Sequence, residues 1–408
     1  MNRGPSLPRL ATASLWNRRS SVLLTALAIA ISVALLLGVQ LVRHAARSGF
    51  QNTVSGIDLV VGARTGELNL LLSSVFRLGA APTGISRELF DRVSRHRDVA
   101  WAIPLQLGDS HRGFRVIGTS PAYFEHYRYG DALPLRAAAG SADLRDLHDA
   151  VLGAEVAAKL GYRIGDPVIV SHGVGAVSFA EHDEHPLRVA AILAPTGTPV
   201  DRSVHVRLEA LALAHGASED EDLSTAALSA FLVGMKDRTQ TFTMQRALNE
   251  YRAEPVLAIL PGVALSQLWE LVGLAETALS VVAAFVAVAG LLGMQAVILA
   301  GLNERRREMA ILRSVGASPR HVFGLLVAEA GTLSVVGTVM GAIATAGLWL
   351  ALKPLAQARL GFSLASLPPV GPLLGLLAAV LGAALLMGLV PAIGAYRRTL
   401  ADGLTMRT

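Results

Sequence analysis

Long apolar runs interrupt an otherwise mixed pattern of polar and hydrophobic positions at four places in this 408-residue chain. They lie at about residues 22–42, 271–299, 322–352 and 370–395. Each run is long enough for the roughly 20 residues that a helix needs to cross a bilayer. Because a helix pairs its own backbone polar groups, the pattern predicts four transmembrane helices. The first run is too long for the core of a cleaved signal peptide, and we expect a retained anchor.

The 220 or so residues between the first two runs have mixed periodicity, which predicts an α+β domain. Ser86 is placed to cap a helix, and the next helix is predicted over 154–160, with Gly161 just past its end. A Gly165-Asp166 turn then leads into a strand that starts at Pro167. Short β-type runs are found at 114–118, 168–171, 187–193, 204–207 and 231–234.

Three segments of this insert are less regular. Residues 137–149 and 215–225 are polar and rich in small side chains, so loops are predicted there. Residues 68–76, LNLLLSSVF, form an apolar run. That run is either a helix that contacts lipid or substrate, or a structural helix, buried in the core of the domain or lying on the bilayer.

Arginine is concentrated before the first helix, between the second and third, and after the fourth. The positive-inside rule therefore predicts that these segments and both termini are cytoplasmic, and that the large insert is outside. The predicted division is a lead-in at 1–19, transmembrane helices at 20–42, 267–302, 321–352 and 370–396, an external domain at 43–266, a cytoplasmic segment at 303–320, an external loop at 353–369 and a tail at 397–408.

Composition excludes several functions. The net charge of +5 is explained by topology and anionic lipid, so no nucleic-acid partner is expected. The chain has no cysteine, which excludes disulfides and thiolate metal sites. None of its three lysines follows a glycine, so a Walker A loop is absent, and if the protein uses ATP with magnesium we expect another polypeptide to bind it. No catalytic motif is present, and no catalytic residue is predicted.

Ten of the eleven histidines lie in the external domain. Imidazole and carboxylate groups are suited to zinc. The densest group of histidines, around residues 172–185, is therefore either a metal site or a solvated polar loop. The candidate ligands are His172, His182, Asp183, His185 and His205.

Small residues and carboxylates mark the membrane helices. Gly337 and Gly341 have the spacing that lets two helices approach closely, either between subunits or within one. Glu276 and Glu329 are intramembrane carboxylates near the ends of their helices, where we favour a structural or interfacial role over a proton relay.

Residues 303–319, NERRREMAILRSVGASP, form a short basic helix and turn between two apolar segments. The charge and helical spacing of this segment alone fit either a helix bound to lipid headgroups or a contact for an ATPase. Gly316 ends this helix, and Ser318-Pro319 starts the next.

This segment resembles the membrane core of the FtsX-like, MacB-type ABC transporter permeases. In that family a cytoplasmic stretch of the form ERxxExxxLRxxGAS joins the second and third helices. The resemblance implies an ATPase-coupling role for Glu304, Arg305, Glu308, Leu312, Arg313, Gly316, Ala317 and Ser318. The first helix, the large external insert and the LGAEVAAKLGYRIGDPVIV run are also similar to the family.

The resemblance implies a permease subunit that pairs as a dimer with a separate ABC ATPase and transmits its motion outward. Export, extraction from the membrane and activation of a partner without transport all occur in the family, and a periplasmic accessory protein is a candidate partner. The segment from 171 to 206 is similar to that of permeases whose external domain contains histidines. A membrane-anchored sensor, or a metal-binding protein of a metal-supply system, is therefore the alternative.

Overall fold

The computed structural model describes residues 19–79, 84–172, 186–214, 227–304, 318–360 and 370–404. The chain divides into two compact units. The membrane unit contains 1–45, 273–355 and 367–408, and the external unit contains 46–272 and 356–366. The helices are α1 (Arg19–Thr53), α2 (Glu67–Ser74), α3 (Arg87–Ser94), α4 (Ala122–His126), α5 (Ala154–Leu160), α6 (Leu208–Ala214), α7 (Thr241–Asn249), α8 (Pro261–Glu304), α9 (Pro319–Leu360) and α10 (Val370–Leu404).

The four long helices contain stretches that are long and apolar enough to cross a membrane: Val22–Thr53, Pro261–Ala300, Phe323–Leu355 and Val370–Gly394. The prediction of four membrane helices, with a large domain between the first and second, is confirmed. All four long helices extend beyond the predicted spans. In particular, α1 continues to Thr53 and α8 begins at Pro261. Both therefore include residues of the external unit.

A mixed sheet of eleven strands forms the centre of the external unit. Its strands are β1 (Leu59–Ala63), β2 (Val99–His111), β3 (Phe114–Thr119), β6 (Ala137–Gly140), β7 (Asp149–Leu152), β8 (Pro167–Val168), β9 (Ser171–His172), β10 (Leu187–Leu193), β11 (Ser203–Arg207), β12 (Ala230–Met235) and β13 (Val256–Ile259). The order is β13-β1-β12-β2-β3-β11-β7-β10-β6, with β8 paired to β10 and β9 paired to β2. A separate hairpin joins β4 (Arg128–Tyr129) to β5 (Leu133–Pro134).

Most neighbours in the sheet are antiparallel, but β11 runs parallel to β3, and β10 runs parallel to β7. Parallel neighbours need a crossover connection, and α5 lies in the connection from β7 to β10. The neighbouring strands β1 and β12 are buried at every position, which is typical of strands covered on both faces.

The predicted boundaries around α5 are confirmed. The helix runs from Ala154 to Leu160, and Gly161 follows it with a φ of 73°, the left-handed conformation that glycine adopts most readily. At the other end, a Cβ on Gly153 would lie 2.2 Å from the carbonyl oxygen of Val200. No side chain fits there, so glycine allows α5 to start against the turn at Pro199–Arg202.

Ser86 also caps α3 as predicted, since its Oγ accepts a hydrogen bond from the Leu89 amide. One loop prediction is wrong: Ala137–Gly140 forms the edge strand β6, which pairs with β10. Small side chains at an edge give no alternating pattern, so the sequence signal for this strand is absent. The second predicted loop, at 215–225, lies outside the described residues.

The apolar run at 68–76 lies within α2 and the residues that follow it. Leu70 and Leu71 are fully buried, and Val75 and Phe76 are nearly so. They belong to the core between α2 and the sheet, together with Ile103 and Leu105 of β2. This run is therefore a structural helix, buried in the core of the domain.

Candidate functional site

The segment that resembles an ATPase contact connects α8 to α9. Helix α8 ends at Glu304, and α9 begins at Pro319. The structure describes the backbone of Glu304 and the whole of Ser318. The other candidate coupling residues lie outside the described residues: Arg305, Glu308, Leu312, Arg313, Gly316 and Ala317.

Ser318 forms the start of α9, as its sequence predicts. Its Oγ lies 2.7 Å from Nδ1 of His321, and its carbonyl oxygen accepts a hydrogen bond from the His321 amide. Pro319 occupies the first helical position, where its missing N–H costs nothing. The cytoplasm-facing segment predicted from sequence therefore leads directly into a capped helix.

Gly337 and Gly341 of α9 lie against α1. A Cβ on Gly337 would be 2.7 Å from the Cβ of Ile29, and one on Gly341 would be 2.6 Å from the carbonyl oxygen of Ala30. Thr345, one turn further along α9, donates a hydrogen bond of 3.5 Å to Ala34 O. The small-residue stripe is thus occupied by a helix of the same chain, as expected for close helix–helix approach in a membrane.

Helix α8 also contacts α1 and α9 through polar groups. Ser32 Oγ of α1 donates to Val286 O at 3.1 Å, and Ser334 Oγ of α9 lies 3.7 Å from Met294 Sδ. Hydroxyl groups that bond across helices are typical of membrane bundles, where water does not compete. These contacts therefore connect α1 and α8, which include residues of the external unit, to α9, which starts after the coupling segment.

Arg43 of α1 and Glu276 of α8 form an ion pair in the membrane unit, with Nε and Oε2 3.0 Å apart. The Glu276 side chain is 20% exposed. Glu329, the other intramembrane carboxylate, is nearly buried in α9. For Glu276 the structure thus supplies an opposite charge on a neighbouring helix, which supports a structural role.

Hydrogen bonds attach the end of α1 to the external unit. The Tyr127 hydroxyl donates to the Thr53 carbonyl oxygen at 2.9 Å, and the Gly130 amide donates to the Asn52 carbonyl oxygen at 2.8 Å. The last carbonyls of a helix have no partner within it. Here the residues on either side of β4 supply two donors, so the last carbonyls of the helix are paired and Thr53 is buried.

Aromatic side chains attach α8 to the same region. Trp269 of α8 meets Phe50 of α1 edge-on, with ring centroids 5.7 Å apart. Phe50 also contacts Phe76, which follows α2, at 4.5 Å. Aromatic pairs contribute about 0.5–1.5 kcal/mol beyond the area that they bury. The ends of α1 and α8 are therefore packed against each other and against the domain core.

The two candidate metal ligands that the structure describes, His172 and His205, are not brought together. His172 lies on β9, while His182, Asp183 and His185 lie outside the described residues. His205 lies on β11, and the strand order β9-β2-β3-β11 separates it from β9 by three strand spacings, about 14 Å. No group of three candidate metal ligands occurs among the described residues. The metal site therefore stays a prediction, and His205 is not placed to complete it with His172.

His205 is instead part of the core. Its ring is fully buried, 5.0 Å from the ring of Tyr123 and 5.7 Å from that of Phe124. Burial, followed by the nearby Arg77 cation, lowers the pKa of His205 to about 3. The ring is therefore neutral at physiological pH.

Sequence reasoning missed Arg43, Tyr127, Phe50 and Trp269. Each lies in a helix or domain that was predicted, but the residue that it contacts is far away in the sequence. In the sequence Arg43 is only the first residue of the predicted external domain. No local pattern pairs it with Glu276.

Two family models match the chain. The MacB-like periplasmic core domain matches residues 22–251, and the FtsX-like permease C-terminal region matches residues 280–400. The crystal structure of the periplasmic region of MacB from Actinobacillus actinomycetemcomitans is similar over 54% of this chain and 97% of that one, at 10% identity and a TM-score of 0.36. No curated protein matches the chain.

The first of these models covers more than half of the 408 residues. Permeases of this family work with an ABC ATPase in a separate subunit and generally carry no enzymatic activity. The family and the four apolar helices indicate a multi-pass protein of the inner membrane. The chain belongs to the FtsX/MacB-type ABC transporter permeases.

Proposed function

We propose that this permease transmits motion from its ATPase partner to its external domain. The ATPase contacts the segment 304–318, and its closure moves α8 and α9. Helices α1 and α8 then carry the movement outward. The external domain then acts on a substrate or a partner protein, by export, by extraction from the membrane or by activation of the partner.

One observation carries this proposal: α1 and α8 each run without interruption from the membrane unit into the external unit. A continuous helix conducts displacement along its length, because each backbone hydrogen bond fixes the next turn. Both helices also end in attachments within the external unit, by Tyr127 for α1 and by the Phe50–Trp269 contact for α8.

Two further parts of the proposal concern assembly. The arginines around residues 9–19, 305–320 and 397–407 favour a topology with both termini in the cytoplasm. Apolar side chains of α8 such as Leu271, Leu274 and Phe285 are 69–79% exposed in the single chain. Lipid or a second copy of the chain covers them, and we propose a homodimer of the permease with two ATPase subunits.

Purification from native membranes tests the proposal. The full chain should co-purify with an ABC ATPase, and the complex should hydrolyse ATP. Glu308→Lys and Arg313→Glu, which reverse charges in the coupling segment, should each remove the ATPase from the complex. Arg407→Glu is the matched control, because it reverses an arginine of the predicted cytoplasmic tail outside that segment.

The topology is tested separately by attaching a protease site at each terminus and exposing sealed inverted membranes to the protease. Both sites should be cleaved from the cytoplasmic side. The coupling assignment is wrong if the two charge reversals leave co-purification and ATP hydrolysis at the level of Arg407→Glu.

A further inference from the structure

The two edges of the eleven-stranded sheet differ in how their backbone groups are satisfied. At one edge, the Asn249 side chain of α7 accepts a hydrogen bond from the Ala258 amide of β13 at 2.7 Å and donates to the Ala258 carbonyl oxygen at 3.2 Å. Gln245 Nε2 donates to the same carbonyl oxygen at 3.2 Å. Side-chain amides therefore take the place of a further strand beside β13. Covering an edge in this way prevents it from pairing with another chain.

The opposite edge strand, β6, is not covered in this way by the residues that the structure describes. All four of its residues are exposed, and among the described strands it pairs only with β10. On the β10 side, the Ala194 amide donates to the Arg136 carbonyl oxygen at 2.8 Å, and the Ser141 amide donates to the Ala190 carbonyl oxygen at 3.3 Å. An edge strand presents the N–H and C=O groups of its other side to any extended backbone that reaches it.

The side chains of β6 leave this edge open on both faces of the sheet. The strand consists of three alanines and a glycine. Edges that resist pairing usually carry charged side chains or proline, and β6 has neither. The register shift opposite Ile192 and Leu193 bends the strand but adds no bulky side chain. The chemistry of the edge therefore fits an extended polypeptide that binds through main-chain hydrogen bonds.

Charges of opposite sign flank β6. Arg136 precedes the strand, is exposed and forms no ion pair with another described residue. Asp143 follows the strand and is 35% exposed. Its carboxylate pairs with Arg145, and two carboxylate oxygens have acceptor capacity for a second cation. Antiparallel pairing of two identical strands sets the start of each beside the end of the other, which brings Arg136 of one copy towards Asp143 of the second copy.

We propose that β6 of one permease pairs antiparallel with β6 of a second copy and joins the two sheets across the two-fold axis of the dimer. The inference rests on the homodimer of the proposed function and names a contact between its external domains. Such a contact is isologous, because each copy contributes the same surface. A strand of four residues forms few hydrogen bonds, but two copies held in one membrane complex meet at a high effective concentration.

Cysteine cross-linking tests this pairing, because the chain has no cysteine of its own. In a regular antiparallel ladder the opposed residues lie on the same face, so a two-fold axis sets one residue opposite its own copy. Their Cα atoms are then about 4.5–5.5 Å apart, within the range that a disulfide spans. Ala137→Cys, Ala138→Cys and Ala139→Cys are each oxidised in the full chain, in nanodiscs and in complex with the ATPase. Cross-linking between two permease chains should be unequal among the three, with a maximum at one position.

Ala247→Cys is the matched control, at an exposed alanine of α7, the helix that covers the opposite edge. The best β6 position should give about tenfold more cross-linked dimer than this control, because a disulfide requires close and fixed Cα atoms. Reduction should return the dimer to single chains.

The flanking charges are tested in the background of the best cysteine. Arg136→Glu should lower cross-linking about threefold, since it sets like charges against each other in both halves of the contact. Adding Asp143→Arg should restore part of the loss. Arg252→Glu, at an exposed arginine elsewhere in the external unit, should leave cross-linking unchanged. Melting temperatures establish that each variant is folded.

Three results overturn the proposal: cross-linking at all three β6 positions that is no greater than for Ala247→Cys, cross-linking that is equal at the three positions, or cross-links from β6 to a different protein. If the complex contains two permease chains and hydrolyses ATP, such a result refutes the β6 contact alone and leaves the proposed function intact. Light scattering counts the chains, and a complex with one permease copy would instead refute the homodimer itself.

Discussion

Arg43 Nε lies 3.0 Å from Glu276 Oε2, and this ion pair joins α1 to α8, two of the helices that include residues of the external unit. A charge pair between helices holds them in register along their axes. If α8 is displaced by the ATPase, the pair makes α1 follow. The contact thus has a mechanical role in the proposed function.

Removing either charge should therefore affect coupling more than stability. Arg43→Gln or Glu276→Gln should lower the free energy of unfolding by about 1 kcal/mol or less, because the Arg43 side chain is 46% exposed. Both should lower ATP hydrolysis that depends on the permease. The swap Arg43→Glu with Glu276→Arg should restore part of the loss, and Arg47→Gln, an exposed arginine one turn further along α1, should have no effect. A swap no better than the single variants would contradict this role.

Close packing of α9 on α1 makes Gly341 intolerant of a side chain. Gly341→Ala should destabilise the bundle by about 1–3 kcal/mol, because the new Cβ would lie 2.6 Å from the Ala30 carbonyl oxygen. Gly347→Ala on the same helix is the control: a Cβ there meets nothing within 4 Å and should be neutral or stabilising. Thermal unfolding in one detergent compares the two. Equal melting temperatures would mean that α9 does not pack on α1 through this stripe.

The attachment of α1 to the external unit is tested by Tyr127→Phe. The change leaves the buried Thr53 carbonyl without its donor and should cost about 1–3 kcal/mol. Tyr129→Phe, on the neighbouring hairpin, should cost less, since its hydroxyl forms no hydrogen bond with another described residue. Hydrogen exchange of the amides in the last turns of α1 measures the loosening. Unchanged exchange in Tyr127→Phe would show that this bond does not hold the helix end.

Acid should destabilise the external unit through His205. Its pKa is about 3 in the folded chain and near 6.5 when unfolded, so the unfolded chain binds the proton first as pH falls. The free energy of unfolding should therefore decline below pH 6.5 by up to about 1.4 kcal/mol per pH unit from this residue. His205→Phe should reduce that slope, and His96→Gln, at a half-exposed ring, is the comparison variant. His111 contributes in the same direction, because burial lowers its pKa too. An unchanged slope in His205→Phe would contradict the assignment.

Local signals in the sequence predicted much of the fold. The four apolar runs, the cap at Ser86 and the stop at Gly161 depend on residues within a few positions of each other, and the structure confirms them. Helix α2 is an intermediate case: its apolar run was clear, but burial in the core was only one of its interpretations.

Pairings between distant residues were not predictable. Tyr127 and Thr53 are joined only because β4 returns to the end of α1, and nothing near either residue indicates this. His205 was grouped with the other histidines as an additional candidate ligand, although it lies beyond the next strand in the sequence. The sheet instead places it in the core, three strands from β9.

Distance measurements between two copies of the external unit test the central claim, that ATP-driven motion reaches this domain. The chain has no cysteine, so Arg97→Cys, at a side chain that is 89% exposed, introduces a single spin-label site per copy. In the complex with its ATPase, trapping bound ATP should shift the distance between the two labels, and Arg43→Gln should reduce that shift. The same distance with and without ATP, in a complex that hydrolyses ATP, would contradict the account.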